Sequence, residues 1–178
     1  MAKKETISFL RESHDDALEN ADRLHDLVTN LRYEGKFSVG KRLREVRKII
    51  EFFNRELLKH VELEEEVIFP FLEAHIPKLE SIINLLHAEH EDFKLNLENF
   101  QFQLLALLKA KNDAERAKVI EKVREKGTYL TYLLRSHIHE ENASVYQAIE
   151  QQLRQNEKKE LERKIQQRTG KRPSLARG

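Results

Sequence analysis

Four stretches of the chain carry apolar residues in alternating steps of three and four, the spacing that lines one buried face of a helix. The first reads Ile7, Leu10, His14, Ala17, Ala21, Leu24, Val28, Leu31 and predicts a helix from about Lys4–Thr6 to near Arg32. The second, Leu43, Val46, Ile50, Phe53, Leu57, His60, Glu64, Val67, Phe71, predicts one from about Val39 into the low seventies. The third, Leu79, Ile83, Leu86, His90, Phe93, Leu97, Phe100, Leu104, Leu107, follows Pro77, which suits a first helical turn. The fourth runs Val123, Gly127, Leu130, Leu134, His137, Glu141, Ser144, Ala148. Gly35 and Gly40 bracket the first turn, with Ser38 as an N-cap, and Pro70 should kink or thin the end of the second helix. Asn112 with Glu115 has the form of a capping box for the fourth. The expected architecture is all-α, an up-down-up-down four-helix bundle over residues 1–155, followed by a basic tail over 156–178. Past about Gln151 the apolar pattern thins, so the tail is expected to extend the helix, fray, and add no core residue and no ligand.

Every one of the four apolar rows is interrupted by polar residues: His14, His60 with Glu64, His90, and His137 with Glu141. Burying a carboxylate without a partner costs several kcal/mol or more, so something must neutralise the two glutamates. His and Glu at i and i+4 converge on one point, and a metal ion is the leading candidate. Connection geometry tests this. His90 lies fourteen residues past Ile76, while Glu64 and His60 lie twelve and sixteen before it. At about 1.5 Å of rise per residue those heights agree, and His14, His137 and Glu141 fall within about a turn of the same layer. Unrelated structural histidines have no reason to share a layer, so the expectation is a di-metal site in the core.

Composition narrows the chemistry. Gly (5) and Pro (3) are scarce among 178 residues, which favours long helices over sheet. Cys is absent, excluding disulfides, thiolate catalysis and Cys-ligated zinc or iron–sulfur sites. A net charge of +1 gives no reason to expect nucleic acid as a partner. No signal-like apolar core opens the chain and no run approaches ~20 apolar residues, so no membrane is expected and the protein is placed in the cytoplasm. Four imidazoles and two carboxylates suit iron or manganese better than a closed zinc tetrahedron. The ferritin-like plan needs Glu-x-x-His, and no His here has Glu three residues before it.

These motifs, Ser-His14-Asp-Asp, His60-x-x-x-Glu64 with Glu-Glu-Val-Ile-Phe-Pro after it, Glu-His90-Glu-Asp-Phe and His137-x-x-x-Glu141, resemble the hemerythrin-like, or HHE cation-binding, family over roughly residues 6 to 150. The resemblance implies two Fe ions, oxo- or hydroxo-bridged, with Glu64 and Glu141 as bridges and His14, His60, His90 and His137 as terminal ligands. Oxygen-carrying members have a further His where this chain has Leu86, and the nearest substitute, His87, is one residue out of register. The fourth helix carries His-x-x-x-Glu where the carriers space His and Asp further apart. The chain therefore looks like the bacterial four-His branch. The function expected is binding or reduction of a small diatomic or peroxide ligand: dioxygen, nitric oxide or peroxide. The alternative is an iron-dependent sensor or iron-handling protein signalling through a partner contact. His25, His75 and His139 lie off the apolar rows and read as solvated or near helix ends. Glu62, Glu65, Glu66 and Glu140 read as charged faces, with Glu65 or Glu140 able to orient a ligand from outside.

Overall fold

The computed structural model describes residues 7–33 and 36–170, and these are helical nearly throughout, with no strand among them. Helix α1 is Ser8–Asn30, continued by a 3-10 turn at Leu31–Tyr33. Helix α2 spans 36–75 and contains two π turns, Phe53–Leu57 and Glu64–Ile68. Helix α3, Glu80–Lys109, follows a 3-10 turn that begins at Pro77. Helix α4 spans 113–152 with a π turn at Asn142–Tyr146. Helix α5 is Gln155–Thr169, closed by Gly170 at φ 65°, a left-handed cap that suits glycine. No helix among the described residues is long and apolar enough to cross a membrane.

The helix ends follow local chemistry in part. Asn112 Oδ1 accepts from the Glu115 N–H at 2.8 Å, and Glu115 Oε2 accepts from the Lys111 N–H at 2.8 Å, a capping box with its second donor one residue early. Two expected boundaries move. Helix α2 already runs from 36, so Ser38 lies in its first turn and Gly40 inside it, while Gly35 lies outside the described residues. The chain also stays helical through Pro70 to His75; the π turn Glu64–Ile68 lies directly upstream, where the missing N–H and the ring must be accommodated.

The apolar rows of α1 and α3 are buried along their whole length. They pack into two clusters. One joins Ala17 to Leu31, Val39 to Leu57, Phe93 to Leu107 and Ile120 to Ile138. The other joins Ile7, Leu10, Leu63 to Leu86, Val145 to Leu153, and Leu161 with Ile165. His14, His60, Glu64, His90, His137 and Glu141 are all buried where helices α1 to α4 pass from one cluster to the other. Gly127 shows how closely the helices approach in the first cluster: a Cβ there would sit 2.9 Å from both Phe100 Cε2 and Val28 Cγ1.

The expectation of a fraying end is corrected over 155–169. The chain breaks helix at Leu153 and Arg154, turns, and returns as α5 with Leu161 and Ile165 buried in the second cluster. Arg168 Nε donates to Glu66 on α2. The segment therefore contributes core residues although it supplies none of the six polar ones.

Candidate metal centre

The six polar core residues converge. His14 and His60 face each other with Nε2 atoms 3.0 Å apart, and His90 and His137 do the same at 2.9 Å. Glu64 lies between the two pairs: Oε1 is 2.7 Å from His60 Nε2 and 3.7 Å from His14 Nε2, whereas Oε2 is 3.6 Å from His90 Nε2. Glu141 Oε2 is 3.2 Å from His14 Nε2 and 3.5 Å from His137 Nε2. The approaches of Glu64 Oε2 and of Glu141 lack the direction of hydrogen bonds, for Glu64 Oε2 and both Glu141 oxygens have no hydrogen-bond partner. The six side chains and Leu57, Val61, Phe93, Leu134 and Ile138 line a cavity of about 20 Å³. That exceeds the ~10–15 Å³ a single water needs.

The other ring nitrogen of three histidines is engaged. His14 Nδ1 lies 3.2 Å from Asn142 Oδ1, His90 Nδ1 2.9 Å from Glu65 Oε1, and His137 Nδ1 2.8 Å from Glu89 Oε2. An amide or carboxylate oxygen accepts, so each Nδ1 carries the hydrogen and a neutral ring turns a bare Nε2 inward. At 2.9 Å, two bare lone pairs repel unless a cation lies between or beside them. That cation is a proton on one ring or a metal ion. In the metal-free protein the proton is the available choice. Burial alone would lower the His14 pKa, but the Glu141 and Glu64 carboxylates override it and hold the group at about 10. Burial likewise works against a charged His137, and Glu141 outweighs it in the raising direction. Burial together with the charge on His137 lowers His90. Glu64, despite burial, is held well below the usual carboxylate range by His60 and His14.

The donor set fits a metal ion. Bonds of roughly 2.1 Å at right angles place neighbouring donors about 3.0 Å apart, which matches both Nε2 pairs. The imidazole and carboxylate donors, with no sulfur, suit iron or manganese. Inward Nε2 with Nδ1 held by an outer oxygen is the arrangement by which proteins orient metal-binding imidazoles.

His87 stands apart. Its side chain is 40% exposed, with Nδ1 3.6 Å from Glu65 Oε1 and its ring edge-on to Phe69. Among the other histidines, His75 stacks on Phe71 and His139 is exposed, but His25 is half-buried and its Nδ1 has no partner. Glu65 does hold a ligand candidate from outside, as expected. For His137 that place belongs to Glu89 of α3 rather than to Glu140.

Three residues at the site escaped the sequence reading: Glu89, Asn142 and Tyr146. Tyr146 is fully buried; its O–H donates to Glu64 Oε1 at 2.6 Å and its oxygen lies 3.2 Å from His60 Nε2 and 3.4 Å from His14 Nε2. Its ring stacks on His14 at 4.9 Å and 4°. A signal existed in the repetition of His-x-x-x-Glu-x-x-x-x-aromatic, His60…Glu64…Phe69 and His137…Glu141…Tyr146. Phe69 correspondingly stacks on His90 at 5.8 Å and 10°. An aromatic five residues after the Glu falls off the face in an α-helix. The π turns after Glu64 and Glu141 add the residue that brings it back.

No curated protein matches the chain. The family model described as Hemerythrin HHE cation binding domain matches residues 5–163, which include every residue of the site, and the chain belongs to that family.

Proposed function

We propose that this member of the hemerythrin HHE cation binding domain family is a non-haem di-iron protein of the four-His branch, its first four helices an up-down-up-down bundle around the metals, that binds or reduces dioxygen, nitric oxide or peroxide. The observation that carries the reading is the facing of two Nε2 pairs across two buried carboxylates with unsatisfied oxygens. His14 and His60 would hold one ion, and His90 and His137 the other. Glu64 and Glu141 would span them, since Glu64 turns one oxygen to each pair and Glu141 Oε2 approaches both. An oxo or hydroxo bridge completes the assignment.

Iron, when bound, supplies the redox chemistry and the open coordination positions. The chain supplies the rest. Asn142, Glu65 and Glu89 fix ring orientation and keep the Nδ1 hydrogens pointed outward. Leu57, Val61, Phe93, Leu134 and Ile138 exclude bulk water, which admits a diatomic or peroxide and little larger.

Protein expressed with ample iron and purified without chelator should carry about two irons per chain, as one per imidazole pair. One zinc with no affinity for iron would overturn the assignment. Rapid mixing of the iron form with peroxide or nitric oxide then separates turnover from sensing. Consumption of many equivalents supports reduction, and a single stoichiometric binding event supports a sensor.

A further inference from the structure

The two imidazole pairs are built on the same plan with one polar difference. Phe69 and Tyr146 occupy matching places, five residues after Glu64 and Glu141, each stacked on the histidine of another helix. Only one of them carries an oxygen. That oxygen is 3.2 Å and 3.4 Å from the two Nε2 atoms of the His14–His60 pair and 2.6 Å from Glu64 Oε1. The two separations from the imidazoles fall in the range spanned by the carboxylate oxygens around the same nitrogens, 2.7 to 3.7 Å. The Tyr146 ring, stacked on His14 and fully buried, is also not free to swing away.

We propose that Tyr146 is a fifth protein ligand, binding as phenolate to the ion held by His14 and His60, and that the centre is therefore open only at His90 and His137. The proposal rests on the di-iron reading and deepens it. Ligation breaks the phenolic O–H bond and forms an iron–phenolate bond; no electron moves, and the proton leaves to solvent as the ion enters. Counting about six positions per ion, two imidazoles, two carboxylate oxygens and a bridging oxygen leave about one vacancy on each. Tyr146 fills the vacancy on one side, and Phe69 has nothing with which to fill the other.

The test loads the full chain with ferrous iron under nitrogen, oxidises it with ferricyanide, and records visible absorption and resonance Raman spectra. Wild type should show a visible phenolate-to-iron charge-transfer band and, on excitation within it, tyrosinate ring modes. Tyr146→Phe should retain both irons and lose the band. Tyr132→Phe, at an exposed position, should leave it intact. Azide titration should saturate at about one per chain in wild type and about two in Tyr146→Phe, one for each vacancy. Absence of tyrosinate modes in iron-loaded wild type, which requires no variant to fold, would overturn the proposal while leaving the di-iron reading standing. Equal azide stoichiometry in wild type and Tyr146→Phe would overturn it equally. Failure of wild type to take up iron would remove both readings.

Discussion

The His14–His60 and His90–His137 pairs share two carboxylates but are surrounded differently, and the difference is one of charge placement. Around His14 the outer oxygen belongs to a neutral amide, Asn142, and a phenol stands inside. Around His90 and His137 the outer oxygens belong to carboxylates, Glu65 and Glu89, and the matching inner place is a phenyl ring. A carboxylate behind an imidazole makes the ring a stronger donor. With Tyr146 as the proposed ligand, one half of the centre would receive its additional negative charge directly at the ion, and the other would receive it one bond network further out. The second arrangement satisfies charge without occupying a coordination position. That is how a protein with near-symmetric ligands can direct a small molecule to one side.

The largest test of this comparison removes what the halves share. Because Glu64 reaches both pairs, Glu64→Ala should lose nearly all iron, whereas His137→Ala, which disables one pair, should retain about half of it. Iron analysis after gel filtration reads both. Equal losses would mean that the two halves fill only together. Thermal melts with and without iron should show a large iron-dependent rise in wild type and almost none in Glu64→Ala.

A smaller effect separates the outer partners. Glu89→Ala should weaken iron binding at the His90–His137 side by about 10–100-fold, since His137 loses the oxygen that fixes its Nδ1 hydrogen. Asn142→Ala should weaken the His14 side less, because stacking on Tyr146 also holds that ring. Iron affinities from chelator competition check this, and a stronger loss for Asn142→Ala would reverse the assignment of the better-supported ring.

Legibility in the sequence followed helix geometry. On α1 and α3, which are free of π turns, steps of three and four named every buried position, from Ile7 to Leu31 and from Leu79 to Leu107. On α2, where Leu43 is only half-buried, the same steps served from Val46 across the first π turn to Glu64, and on α4 from Val123 to Glu141, and then slipped. Val67 and Ser144, expected in the core, are half-buried, and Ile68, Val145 and Tyr146 are buried instead. A π turn inserts one residue, and nothing in the residue types of Glu64–Ile68 or Asn142–Tyr146 announces it. The same slip hid Tyr146. Helix α5 was hidden differently: Leu161 and Ile165 lie among charged residues, and two apolar positions are too few to establish a period.

The smallest expected effect concerns His87, and it bears on whether the His90–His137 side is open. A fifth imidazole arriving there would fill the vacancy that Phe69 leaves. The structure places His87 away from that role. Its side chain is 40% exposed and its Nδ1 is turned toward Glu65 at 3.6 Å. Its ring meets the edge of Phe69 while the face of Phe69 lies on His90, so the phenyl group packs against both imidazoles. To reach the cavity His87 would have to give up both contacts and displace an aromatic ring packed in the second core cluster, at a cost of roughly the 1.5–3 kcal/mol that burying such a side chain contributes. His87→Ala should therefore keep both irons, the same visible spectrum and the same azide stoichiometry. What it removes is one neighbour of Glu65, which His90 and Lys94 continue to hold, so iron affinity should fall by less than in Glu89→Ala. Loss of one iron, or a gain of an azide site on removing His87, would show instead that the ring moves in and closes the side that Phe69 leaves open.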